Sequence, residues 1–164
     1  MVGLGLAVRH GSTPFDDWFH QHGRHVRYLA LLASPWVLAS VVLATIAVAL
    51  YQRRYQLAIA TAVCPLVAMG LARVLKPAFG RERGPVFAYP SGHTATLVAV
   101  MAMVVLAAGA ALWVVIVAVA YSLLGMLGVG VSFHYFTDTV GGLLLGTTIV
   151  CVAALVLGRA PHRT

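Results

Sequence analysis

Two histidines, an aspartate and two cations stand out from an otherwise apolar chain: His93, His134, Asp138, Lys76 and Arg83. His134 and Asp138 are four residues apart, one turn if a helix begins there. A carboxylate so placed can accept the proton of one ring nitrogen, fix the tautomer and leave the other nitrogen free to attack. By itself the pair is a weak signal and reads better as a satisfied structural histidine. Pro90-Ser91-Gly92-His93 reads as the entry to a helix, where unpaired backbone N–H groups and the helix dipole attract an anion. Gly92 permits close backbone approach, Ser91 adds a hydroxyl donor, and His93 could protonate a departing alkoxide. Alone, the tetrapeptide is a turn and a helix cap. Lys76, Arg81 and Arg83 alone are a basic loop facing lipid headgroups. Gathered together, these groups suit a phosphate. Ionisable residues beside lipid are costly, and they are retained where they serve function.

The rest of the chain must bring those patches together. With 164 residues, 61% hydrophobic and 9% charged, and a mean hydropathy of +0.93, it reads as one membrane domain, residues 1–164; soluble domains carry roughly 25% charged residues. The net charge of +7 is spread over loops and ends. That distribution argues against nucleic acid and for a bilayer with anionic headgroups as partner. Cys64 and Cys151 lie within apolar runs and read as small buried hydrophobes. Met1–Val8 lacks a basic start, so no cleaved signal is expected.

Thr13, Pro14 and Asp16 mark a helix start. Phe15, Trp18, Phe19, His22 and Val26 then share a face, so residues 12–27 are expected to form an interfacial helix. His20, His22 and His25 invite a metal, but their spacing is loose and no metal is expected. Residues 28–157 are expected to form a transmembrane bundle, beginning with an uncharged span over Tyr28–Leu50. Tyr51–Gln56 is a polar turn, and Leu57–Leu75 a second span. Thr94–Val131 carries no charge and as one helix would be about 57 Å long, too long for a hydrocarbon core of about 30 Å. It must fold back, with Ala108–Ala111 as the weakest point. Thr139–Leu157 is the fifth span, and Arg159–Thr164 a basic tail. The fold class expected is therefore all-α, about five transmembrane helices plus the interfacial helix.

Spans three and four separate the Lys76–His93 loop from the Phe133–Asp138 loop, so both belong on one side. Arg53, Arg54, Arg159 and Arg163 oppose Arg9, Arg24 and Arg27 across the membrane. The positive-inside tendency then turns the site outward from a multi-pass protein of the cell membrane. Gly142-x-x-x-Gly146 fits close helix approach, within the bundle or at a homodimer face.

Lys76-(six residues)-Arg83, Pro90-Ser91-Gly92-His93 and His134-x-x-x-Asp138 together resemble, in order and spacing, the type-2 phosphatidic acid phosphatase family, over roughly residues 57–157. That family includes membrane lipid phosphatases and soluble vanadium haloperoxidases; this apolar chain resembles the membrane branch. The resemblance implies His134 as nucleophile forming a phosphohistidine, Asp138 as its orienting carboxylate and His93 as general acid. Lys76, Arg83, Ser91 and the Gly92 backbone would hold the phosphoryl oxygens, with no metal or other cofactor. Two departures stand out. Gly84 intervenes between Arg83 and Pro85, and Gly128 stands where the third motif carries an arginine. Arg81 or Arg73 is a candidate to replace that guanidinium.

The expected activity is hydrolysis of a lipid phosphomonoester, or of the terminal phosphate of a lipid diphosphate. The substrate's tail would lie in the bilayer and its phosphate at the boundary. The alternative is a non-catalytic lipid-phosphate binder or assembly protein of the same fold.

Overall fold

In the computed structural model residues 1–159 are described, and they are mostly helical. Residues 160–164, which include most of the expected basic tail, lie outside the described residues. Two short helices open the chain, α1 (Val2–Ala7) and α2 (Pro14–His22). Thr13 caps α2 and Asp16 returns a bond to the Thr13 amide, a reciprocal box with Pro14 in the first turn.

The helix expected over residues 12–27 stops at His22. A 3₁₀ segment, Arg24–Ala33, follows, and then α3 (Pro35–Tyr51). The straight span expected over Tyr28–Leu50 is therefore broken, with a bend of 41°. The cause is local. Ser34 leaves the helical region and its hydroxyl caps Val37, while Pro35 suits a first helical position but cannot continue a helix already running.

Helix α4 (Tyr55–Phe79) outlasts the expected second span by a turn, carrying Lys76 within it, and ends on Gly80 at φ +63°. Next comes a two-stranded antiparallel hairpin, β1 (Glu82–Arg83) and β2 (Val86–Phe87), with Arg83 opposite Val86. Gly84 supplies the positive φ of +61° that its tight turn requires. The insertion between Arg83 and Pro85 is thus half of a hairpin turn.

Helices α5 (Gly92–Ala107) and α6 (Leu112–Ser132) are joined by the reversal expected at Ala108–Ala111. α7 (Phe136–Arg159) completes the chain. α5 is the central helix, packed against α3, α4, α6 and α7. Its Thr94–Met101 stretch is buried without interruption, as expected of a helix apolar all round. Gly142 and Gly146 let α7 approach α5: a Cβ at 142 would strike the Ser91 carbonyl, and one at 146 would lie 2.6 Å from that of Ala95. That glycine pair is used inside the bundle. By length and composition, α4, α6 and α7 can each cross a membrane, and the bent 3₁₀–α3 pair makes up to four such spans among the described residues. α5 is apolar but shorter.

Candidate functional site

All of the sequence-predicted residues gather at one end of the bundle. They come from the last turn of α4, the hairpin, the start of α5 and the α6–α7 junction. At the opposite end, Arg54 donates to the carbonyl of Leu106 and Gln52 to that of Ala107, tying the two turns there together. Ser91 fastens the site: its amide donates to the Asp138 carbonyl at 3.0 Å, and its hydroxyl caps the Thr94 amide at 3.4 Å. The starts of α5 and α7 are therefore held side by side.

His134 is buried, and its Nδ1 lies 3.7 Å from Asp138 Oδ2, just beyond hydrogen-bond distance. The His93 and His134 rings meet edge to face with centroids 5.8 Å apart. His93 is exposed and also stacks on Phe133. Lys76 lies within Coulombic reach of both Asp138 and His93. The Arg83 guanidinium sits 5.2 Å from the Tyr135 ring centre, and its Nη1 is buried without a partner. His134 Nδ1 is likewise buried and unpartnered. Unsatisfied buried donors are rare, and each needs a reason. Gly92 is not sterically compelled, since a Cβ there would meet only the Ala72 methyl at 3.7 Å.

Gly128 answers a different need. A Cβ at that position would collide with the backbone of Leu29 and Ala30. The glycine is what lets α6 lie against the 3₁₀ segment. An arginine at 128 cannot be accommodated without displacing that segment.

Arg81 does not take its place on a phosphate either. It is wholly buried, and each of its donors is engaged. Nε donates to the Gly11 carbonyl at 3.1 Å; Nη2 donates to the same carbonyl at 2.8 Å and to Asp16 at 2.7 Å. Nη1 donates to Thr137 and to Asp138, both at 2.6 Å. Asp16 is buried in turn and receives the Thr137 amide at 2.9 Å. Two of the chain's four acidic residues thus share one arginine. The sequence pointed to Asp16 only as a helix-start residue. The one available signal was scarcity: an acid beside the apolar face of α2 in so basic a chain has to be matched.

Burial pushes the Asp16 carboxyl up, but hydrogen bonds from the Thr137 and Thr13 amides, Arg81 and the Thr13 hydroxyl outweigh it and leave the group below its usual range. A carboxylate depressed on folding contributes stability that is complete above its unfolded value, about 3.9. The contribution is lost as pH falls through the lower folded value. Thermal melting of the detergent-solubilised protein should therefore weaken below about pH 4, and Asp16→Asn should flatten that acid limb. Tyr89, pushed up to about 12 by burial and by the charge of Asp138, remains a donor and holds the Met1 carbonyl at 2.7 Å.

Between α5, α6 and α7 runs an apolar cavity of about 430 Å³, bordered by Val98, Met101, Leu123, Leu143 and Val150. Its upper end begins five residues beyond His93 on α5 and five beyond Asp138 on α7. Comparisons with known protein families, with curated proteins and with solved structures find no match.

Proposed function

We propose that this chain is an integral-membrane lipid phosphatase that works through a phosphohistidine, as its resemblance to the type-2 phosphatidic acid phosphatases suggests. The observation that carries the reading is the unpartnered buried Arg83 Nη1 in the same cluster as Lys76 and the His93–His134 ring pair, with His134 Nδ1 turned to Asp138. Lys76 and Arg83 would neutralise the phosphoryl oxygens, with the start of α5 behind them. Because His134 Nδ1 faces Asp138, its Nε2 is the nitrogen that attacks phosphorus. The P–O bond to the lipid breaks as the P–N bond forms, and His93 gives its proton to the leaving alkoxide. Water then attacks phosphorus, the P–N bond breaks with its electron pair returning to His134 Nε2, and inorganic phosphate leaves, with His93 accepting a proton from that water. The apolar cavity below the site suits a hydrocarbon tail.

In this reading α3 with its 3₁₀ segment, α4, α5, α6 and α7 make five spans, α2 lies in the interface, and the site faces outward from the cell membrane. Cysteines placed at Arg53 and Glu82 should label from opposite sides of sealed vesicles; labelling from one side would break the span count.

The missing third-motif arginine favours a second reading, a non-catalytic binder of lipid phosphates. Phosphate release by the purified protein in detergent, with phosphatidate, phosphatidylglycerophosphate and polyprenyl phosphates and diphosphates, separates the two. Release that depends on His134 supports the enzyme. Saturable binding without release supports the binder, and neither would sink both.

A further inference from the structure

We infer that Asp16, acting through Arg81, is a positioning residue for the His134–Asp138 pair, so that the N-terminal segment is part of the site. The inference rests on the reading of His134 as the nucleophile. The geometry is a file of four groups: Asp16, Arg81, Asp138, His134. Arg81 bridges the two carboxylates at 2.7 and 2.6 Å, and Asp138 turns its other oxygen toward His134. That second oxygen also accepts the Tyr135 amide at 3.0 Å, which sets its direction. None of the three charged groups is exposed by more than 2%, so solvent screens them little.

Charge bookkeeping shows what Asp16 adds. An arginine paired with Asp138 alone would cancel the carboxylate on which His134 relies to orient and to stabilise its positive form. A second carboxylate on the far side of the same guanidinium returns a net negative charge to the file. Arg81 then fixes Asp138 in place without silencing it. The segment that delivers Asp16 is also anchored independently of Arg81, by the Met1 carbonyl on Tyr89 and by Phe15 and Phe19 against Phe136. The other charged or titratable groups around the His134–Asp138 pair are His93 from α5, Lys76 from α4, Arg83 from β1 and Tyr135, against whose ring both Arg81 and Arg83 lie. All four are left unchanged in the variants below.

The test follows the His134 imidazole by NMR in ¹³C-histidine-labelled full-length protein in micelles, its signal assigned by loss in His134→Gln. Asp16→Asn should move the His134 titration midpoint to lower pH than in the wild type by roughly 0.5–1 unit, the effect of removing one charge that acts across the Arg81–Asp138 bridge in a partly screened site. Arg81→Gln, which leaves both carboxylates, should move it the opposite way. Asp16→Asn combined with Arg81→Gln should bring it back toward the wild-type position, a rescue that a merely structural tie would not give. Asp17→Asn removes the same charge from an exposed neighbour and should leave the midpoint in place. Equal shifts in the Asp16 and Asp17 variants, or shifts of one sign throughout, would overturn the inference. So would failure of both single variants to fold, which would make the cluster a structural tie alone. The acid limb of kcat/KM for lipid phosphate hydrolysis should follow the same order. Shifts in the NMR titration without any hydrolysis would refute the enzyme and leave only the coupling of Asp16 to the His134–Asp138 pair standing; hydrolysis without those shifts would keep the enzyme and refute the role of Asp16.

Discussion

His134→Ala should abolish lipid phosphate hydrolysis while leaving the protein folded and able to bind a phosphate-bearing lipid. His134 is the buried imidazole with a carboxylate one turn away, and no other nucleophile in the cluster is so supported. His93 is the nearest alternative. It is exposed and stacked on Phe133 rather than paired with an acid, which suits proton delivery better than attack. Removing it should therefore slow turnover by roughly 10²–10⁴-fold on natural alkoxide leaving groups and much less on activated ones. Single-turnover assays with radiolabelled substrate would read both effects. Acid-labile label on the wild type and none on His134→Ala is the outcome expected. Label retained by His134→Ala would move the nucleophile elsewhere.

Arg81→Ala should be the most destabilising single change at this end of the molecule. It strips one cation from two buried carboxylates and leaves the Gly11 carbonyl and the Thr137 hydroxyl without their donor. Removing one member of a buried ion pair costs on the order of 3–5 kcal/mol, because a charge is left in low dielectric without compensation. Arg73→Ala, on an exposed face of α4, should cost little by comparison. Thermal unfolding in detergent, followed by circular dichroism, gives the ranking. An Arg81→Ala melt within a degree or two of wild type would mean that water or a lipid headgroup takes over the guanidinium's role.

The helices were legible because lipid-compatible runs announce themselves by composition, and the reversal at Ala108–Ala111 was forced by length alone. The gathering of Lys76, His93 and His134 followed from counting the helices between them. Three features were not readable in that way. The Ser34-Pro35 break lies inside an apolar stretch, where hydropathy is uniform and only the cap chemistry marks the end of one helix and the start of the next. The hairpin at Gly84-Pro85 is too short to show an alternating pattern. The role of Arg81 depends on partners 65 and 57 residues away, Asp16 and Asp138, and no local spacing encodes such a meeting. Gly128 was visible as a departure from a motif, but its reason, the backbone of Leu29 and Ala30 lying against it, belongs to a helix approach that only the folded chain displays.

The shortness of α5 bears on how a greasy substrate and water could meet. Its 16 residues extend about 24 Å along the axis, several ångströms less than the roughly 30 Å of hydrocarbon in a bilayer. With its Ala107 end level with one boundary, its Ser91 end stops below the other. In a membrane the cluster would then sit at the floor of a dimple rather than on a rim. A phosphate-bearing lipid would reach it by sliding sideways in its own leaflet, with no need to be hoisted out. In that arrangement the work left to the protein would be the converse task of leading water down, and the charged floor of the dimple is what would keep it wet.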